Sequence, residues 1–243
     1  MKPEYPRSLA ANPPGGGPNT NLLSFANSGG LLGKGVCRWH SRFTRNALYL
    51  AFFLPSQPRP ALPEARRIIR LMMNARRVVP IPGYENLREF SLDHEKLIRN
   101  TLESRQIREG VLQFARINGL WGSSAVPASK LKNLMDRIHG QVSSKGIAYV
   151  KFQTPGLDAH ALLVTEAGPL PGGGYRISCL DSNLPLESVT VYRIGDRWLN
   201  TASGSRGVPY LQRSGELSRI RRVTEMFVKA ETRAQADGRR RRF

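Results

Sequence analysis

His160-Ala161-Leu162-Leu163-Val164-Thr165-Glu166-Ala167-Gly168-Pro169-Leu170-Pro171-Gly172-Gly173-Gly174-Tyr175-Arg176-Ile177-Ser178-Cys179-Leu180-Asp181 is the stretch whose reading decides the fold. Two β-rich runs, His160 to Ala167 and Tyr175 to Asp181, stand on either side of a Gly/Pro turn, as the arms of an antiparallel hairpin do. Similar runs, Ile147 to Thr154 and Ser188 to Ile194, flank it and extend it into a meander. In an antiparallel pair, opposed residues have position numbers with a constant sum. With Ala167 and Tyr175 flanking the loop, His160 falls opposite Ser182, between Asp181 and Asn183. The hairpin therefore predicts an imidazole beside a carboxylate and an amide, with Asp181 as its orienter and Asn183 as the alternate.

Upstream, the period changes. Val36, Trp39, Phe43, Ala47, Leu50 and Leu54 recur at steps of three and four, which predicts a helix from near Cys37 to Pro55. A proline-rich loop to Pro63 precedes a helix over Glu64 to Arg77, and Val78 to Tyr84 reads as irregular. Ser91 caps a longer helical stretch with Leu92, Leu97, Ile98, Leu102, Ile107 and Val111 on its apolar side, and Ala128 to His139 makes another helix. After the meander, Ser214 to Ala236 forms a basic amphipathic helix. The expected fold class is α+β, a helical lobe (22–140) followed by an antiparallel sheet (141–213) and a helix (214–228). Residues 1–21, rich in Pro, Gly and Asn, are read as a disordered leader and residues 229–243 as a basic tail.

With 37 Lys and Arg against 18 Asp and Glu, the formal charge is +19, so the surface attracts polyanions. Many of the cations sit on helices or in the Arg239 to Arg242 run, which are ordinarily solvated, and no nucleic-acid motif with interleaved aromatics appears. The two cysteines, Cys37 and Cys179, give no disulfide framework and leave the compartment unassigned. Met1 to Pro6 lacks the order of a signal peptide, and the longest apolar run, Leu48 to Leu54, is too short to span a bilayer, so the chain reads as soluble with no transmembrane segment. No cofactor is expected; Gly30 to Gly35 has the wrong spacing for a phosphate loop.

Cys37 ends a glycine-rich turn, Gly33-Lys34-Gly35-Val36, at the start of the striped helix. The positive end of a helix dipole favours a thiolate, and a thiolate facing an oriented imidazole is the arrangement that acyl transfer requires. On these segments the chain resembles the papain-like cysteine peptidase superfamily in the broad sense that includes bacteriocin-processing and transglutaminase-like enzymes. Gly35-Val36-Cys37-Arg38-Trp39 resembles the G-x-C-x-W segment that opens the central helix, His160 to Val164 the histidine strand, and Leu180 to Pro185 the Asp or Asn segment. The resemblance runs from about Asn27 to Pro185 and lies in the order of these short motifs. It implies a papain-like fold and hydrolysis of an amide or peptide bond, with Cys37 as nucleophile, His160 as base and Asp181 as orienter. Papain's oxyanion-hole Gln, six residues before the nucleophile, is replaced here by Leu31; Asn27 is the substitute donor. The helices between Pro63 and Gly140 exceed what transglutaminase-like members carry. Two other readings stand beside this one: a non-catalytic basic module that contacts a polyanion, and a structural zinc held by Cys37, His40, His160 and Cys179.

Overall fold

The computed structural model describes residues 19–27, 36–113, 128–144, 146–153, 159–187, 190–194, 199–200, 206–211 and 215–240. The order is α1 (Cys37–Leu50), β1 (Ala51–Leu54), α2 (Leu62–Asn74), β2 (Val79–Pro82), α3 (Leu87–Asp93), α4 (Glu95–Gln113) and α5 (Ala128–Ser143). Then come β3 (Ala148–Gln153), β4 (Ala159–Pro169), β5 (Tyr175–Asp181), β6 (Thr190–Ile194), β7 (Leu199–Asn200), β8 (Arg206–Leu211) and α6 (Gly215–Arg240). Helices precede an antiparallel sheet, so the class is α+β. The sheet closes: β3 to β8 pair in sequence order, and β8 returns to β3, leaving no open edge.

The central strands are buried on both faces, which is why Ala161-Leu162-Leu163-Val164 is an unbroken apolar run. Ala161, Leu163, Leu180 and Tyr149 join the core around α1, with Phe43, Leu50, Ile69 and Phe90. Leu162, Val164, Ile177 and Cys179 pack against Leu131, Met135 and Ile138 of α5. Each large apolar side chain so buried contributes roughly 1.5–3 kcal/mol. Helix α1 is thus wedged between the sheet and the other helices; from Trp39 to Leu50, Arg42 is its one residue that is not fully buried.

Several elements differ from the sequence reading. The helix beginning at Cys37 stops at Leu50, and the next four residues form β1, parallel to β2 from Ala51↔Val79 to Leu54↔Pro82. Leu50 and Leu54 keep helical spacing, yet Ala51 turns to extended backbone (φ −72°, ψ 132°) and starts this ribbon. Pro80 and Pro82 fit because β2 is the edge of a two-stranded sheet. The cap of the third helical segment is Asn86, whose Oδ1 accepts the Glu89 N–H at 2.9 Å. Ser91 instead lies inside α3, buried, accepting the Ser24 N–H at 2.8 Å. The leader ends sooner than residue 21, since Asn19 is already buried and Leu22, Leu23 and Phe25 are core; residues 1–18 lie outside the described residues. Helix α6 carries the basic tail as far as Arg240, and residues 241–243 lie outside.

Candidate active site

The first turn of α1 is fixed by Asn27. Val36, which precedes the helix, has no capping side chain, and its N–H donates to Asn27 Oδ1 at 2.5 Å. The Val36 carbonyl then accepts from the N–H groups of Trp39 and His40, each at 2.9 Å. Cys37, the first helical residue, is half-buried. Asn27 also reaches the other half of the site: its backbone N–H donates to Ser182 O at 2.7 Å and its Nδ2 to Asn183 Oδ1 at 3.2 Å. One residue therefore joins the start of α1 to the segment that follows β5. Its side-chain bonds run to Val36 and Asn183, so the contacts give it the role of a joint. Leu31, the counterpart of papain's Gln, lies outside the described residues.

The β4–β5 pairing departs from the simple hairpin count. Pro169 pairs with Tyr175 around a shorter loop, and a bulge between Val164 and Glu166 then shifts the ladder by one, so that Leu162 faces Asp181. Continued along the strand, this sets His160 level with Asn183 rather than Ser182. It also sets His160 on the same side of the sheet as Asp181, because residues two apart share a face. Without the bulge, the alternation would turn them to opposite faces.

His160 Nε2 lies 2.8 Å from Oδ1 of Asp181, a carboxylate only 3% exposed. The same Oδ1 accepts the Asn183 N–H at 2.8 Å, which holds the carboxylate in the turn. Asp181, not Asn183, is therefore the group against the imidazole; Asn183 is exposed and turned to Asn27. Cys37 is the second side chain hydrogen-bonded to this imidazole. Burial pulls the His160 pKa down, but the hydrogen bonds to Asp181 and Cys37 and their charges outweigh it and raise the value to about 9. At neutral pH the ring is an imidazolium. Cys37, His160 and Asp181 thus come together from the start of α1, the start of β4 and the end of β5.

The remaining titratable groups nearby are structural. His40, one turn beyond Cys37, is buried, with Nε2 at 3.0 Å from the Phe25 carbonyl; burial lowers its pKa to about 4. Nε2 therefore carries the proton. Cys179 is fully buried against α5, and burial pushes its thiol up. His40 and Cys179 thus point into separate cores. Among the described residues no group of three or more His, Cys, Asp or Glu side chains is arranged to hold a metal ion, which removes the zinc reading. His94 is half-buried beside the Tyr84 hydroxyl, and His139 lies on the surface.

Two features around the site were not read from the sequence. Arg42 and Arg45 of α1 both pair with Glu216 of α6, at 2.8 Å and 3.0 Å, and Arg45 is only 2% exposed. Lys151 interrupts the apolar run of β3, half-buried, and its charge is coupled to those of Arg38 and Cys37. A single lysine inside Ala148-Tyr149-Val150-Lys151-Phe152 was the available signal.

Comparison with protein-family models, with curated proteins and with solved structures finds no match to this chain. Among the described residues, no helix is long and apolar enough to cross a membrane.

Proposed function

We propose that the protein is a cysteine hydrolase of papain-like type that cleaves an amide or peptide bond through Cys37, His160 and Asp181. The observation that carries this reading is the His160 imidazole, held at 2.8 Å by a buried carboxylate and hydrogen-bonded as well to a thiol at the start of a helix. A satisfied structural histidine needs no such thiol, and a structural thiol needs no such imidazole.

The chemistry follows from the charges. The thiolate of Cys37 attacks the substrate carbonyl carbon; the S–C bond forms and the carbonyl π pair moves to oxygen. The backbone N–H of Cys37, at the positive end of α1, donates to that oxyanion. As the tetrahedral species collapses, the C–N bond breaks and the His160 imidazolium gives its proton to the leaving amine. A thioester remains. Neutral His160 then takes a proton from water, whose oxygen attacks the thioester and expels the thiolate. Asp181 fixes the ring orientation and offsets the positive charge of each imidazolium stage.

A panel of fluorogenic peptide amides tests the reading with wild type, Cys37→Ala and His160→Ala. Hydrolysis is expected in the wild type and is lost, by at least about 10³-fold, in both variants. Undiminished hydrolysis by Cys37→Ala overturns it.

A further inference from the structure

Several surface cations on the helices are matched within one turn. Arg67 pairs with Glu64, Arg99 with Glu95 and Lys132 with Asp136, each three or four residues away and at 2.7 to 2.8 Å. Helix α2 and the turn that ends it carry five arginines, Arg66, Arg67, Arg70, Arg76 and Arg77, against the single acid Glu64, whose two oxygens both accept from Arg67. All five are exposed. Among the described residues no carboxylate pairs with Arg66, Arg70, Arg76 or Arg77.

Arg66 and Arg70 are four residues apart in the helix, so they stand about 6 Å from each other along one face. Asn74 is the next residue of that row, and its Oδ1 accepts from the Arg105 side chain of α4 at 2.9 Å. Three guanidinium groups thus line up from α2 to α4. Like charges at this spacing destabilise a helix. The negative end of the helix dipole accounts for Arg76 and Arg77, which follow the left-handed Ala75, but not for Arg66 and Arg70. The other side of α2 faces the core: Ala65, Ile68, Ile69, Met72 and Met73 are buried, and Leu62 is its one exposed large apolar side chain. With no free apolar stripe, the helix cannot lie in a bilayer interface as an amphipathic anchor does. What the row fits is a polymer with anions at short, regular intervals. Guanidinium meets phosphate oxygens bidentately, and arginine outnumbers lysine more than threefold in this chain.

We propose that the exposed face of α2, continued by Arg105, binds the phosphodiester backbone of a nucleic acid, through Arg66, Arg70 and Arg105, with Arg76 and Arg77 at its end. Such contacts go to phosphates and carry no base specificity. The surface shares no residue with the thiol site, so the inference stands or falls independently of the mechanism above.

The test is fluorescence anisotropy of the full chain with a labelled oligo-dT strand and with a DNA duplex, each about 20 nucleotides long, over roughly 0.05 to 0.3 M salt. Kd is expected to rise steeply with salt. Arg66→Gln/Arg70→Gln, with two phosphate contacts fewer, raises Kd about tenfold at roughly 0.1 M salt and flattens the slope of log Kd against log salt by about 1.4 on the single strand or about 1.8 on the duplex. Arg66→Lys/Arg70→Lys keeps the slope. Arg219→Gln/Arg222→Gln removes the same charge from the exposed face of α6 and stays within about twofold of wild type, since charges beyond a Debye length are screened. Equal loss in the two glutamine pairs makes the attraction a property of the whole +19 chain and overturns the proposal. The thermal midpoint of Arg66→Gln/Arg70→Gln is expected to hold or rise, because a like-charge pair has gone; a lowered midpoint assigns these arginines to the fold and overturns it too. Binding to phosphatidylserine vesicles or to polyglutamate, with none to either oligonucleotide, also overturns it.

Discussion

Replacing Asp181 with Asn removes one charge and almost nothing else. Asp181 Oδ1 accepts from His160 Nε2 and from the Asn183 N–H, both at 2.8 Å. The second bond keeps the Asn oxygen, not its NH₂, turned toward the imidazole, so Asp181→Asn preserves the ring orientation. What it loses is the charge that offsets a half-buried imidazolium. The rise of the His160 pKa from 6.5 to about 9 corresponds to about 3 kcal/mol in favour of the charged ring. Neutral hydrogen bonds are roughly half as strong as charge-assisted ones, so the substitution is expected to lower the midpoint by at least about one unit. The chain holds four histidines, so each imidazole can be followed individually by NMR across pH, with His40, titrating near 4, as an internal reference. Stability moves with the same proton. A raised folded-state pKa contributes stability that is full below 6.5 and lost as pH rises through about 9, and the variant must lose less over that window. Amide hydrolysis at pH 7 is expected to drop about 10²-fold or more. A His160 midpoint within about half a unit of wild type would refute the assignment of Asp181 as the group that holds the imidazolium.

Other perturbations probe the supports of the site. Asn27→Ala frees the Val36 N–H and the Asn183 side chain together, and kcat for amide hydrolysis is expected to fall about tenfold. Asn27→Asp keeps the acceptor for Val36 and should recover part of the loss; equal damage by both would place the effect elsewhere. His40 is buried neutral with a pKa near 4, so its contribution to stability is full above 6.5 and declines as pH falls toward 4. Urea unfolding should show about 2.5 kcal/mol lost at pH 4.5 relative to pH 7 through this group, and His40→Gln should lack that component. Glu216→Ala strands Arg42 and the buried Arg45 without their carboxylate; a loss of about 3 kcal/mol or more in denaturant unfolding is expected.

The parts of the fold legible in the sequence are those where one periodicity dominates. The stripe Trp39, Phe43, Ala47, Leu50 gives α1 and its start at Cys37, and the β-rich runs on either side of the Gly/Pro loop give β4 and β5. What was missed depends on contacts distant in sequence. Leu54 continues the helical stripe, but Ala51 to Leu54 pair with a proline-bearing strand some 28 residues later, which no local pattern announces. The bulge at Thr165 shows in no local pattern, and it changes the register by the one residue that decides which face His160 shares. The strands β7 and β8, which close the barrel, are short and carry weak patterns. In the site, Cys37, His160 and Asp181 were readable because reactive residue types stand at element ends. Asn27 was singled out as an oxyanion donor, and its bonds to Val36 and Asn183 are contacts that only the fold supplies. Lys151 was visible as a charge in an apolar run, but its place on the face of the sheet that α1 covers required the fold.

The central claim is that Cys37 is a nucleophile activated by His160, and the most direct measurement is the rate of Cys37 alkylation by iodoacetamide at pH 6, read by peptide mass spectrometry. The account predicts that Cys37 reacts at least about tenfold faster than a small free thiol at that pH, that buried Cys179 stays unmodified, and that His160→Ala abolishes the advantage. A Cys37 that reacts no faster than the free thiol, or equally fast without His160, would contradict it.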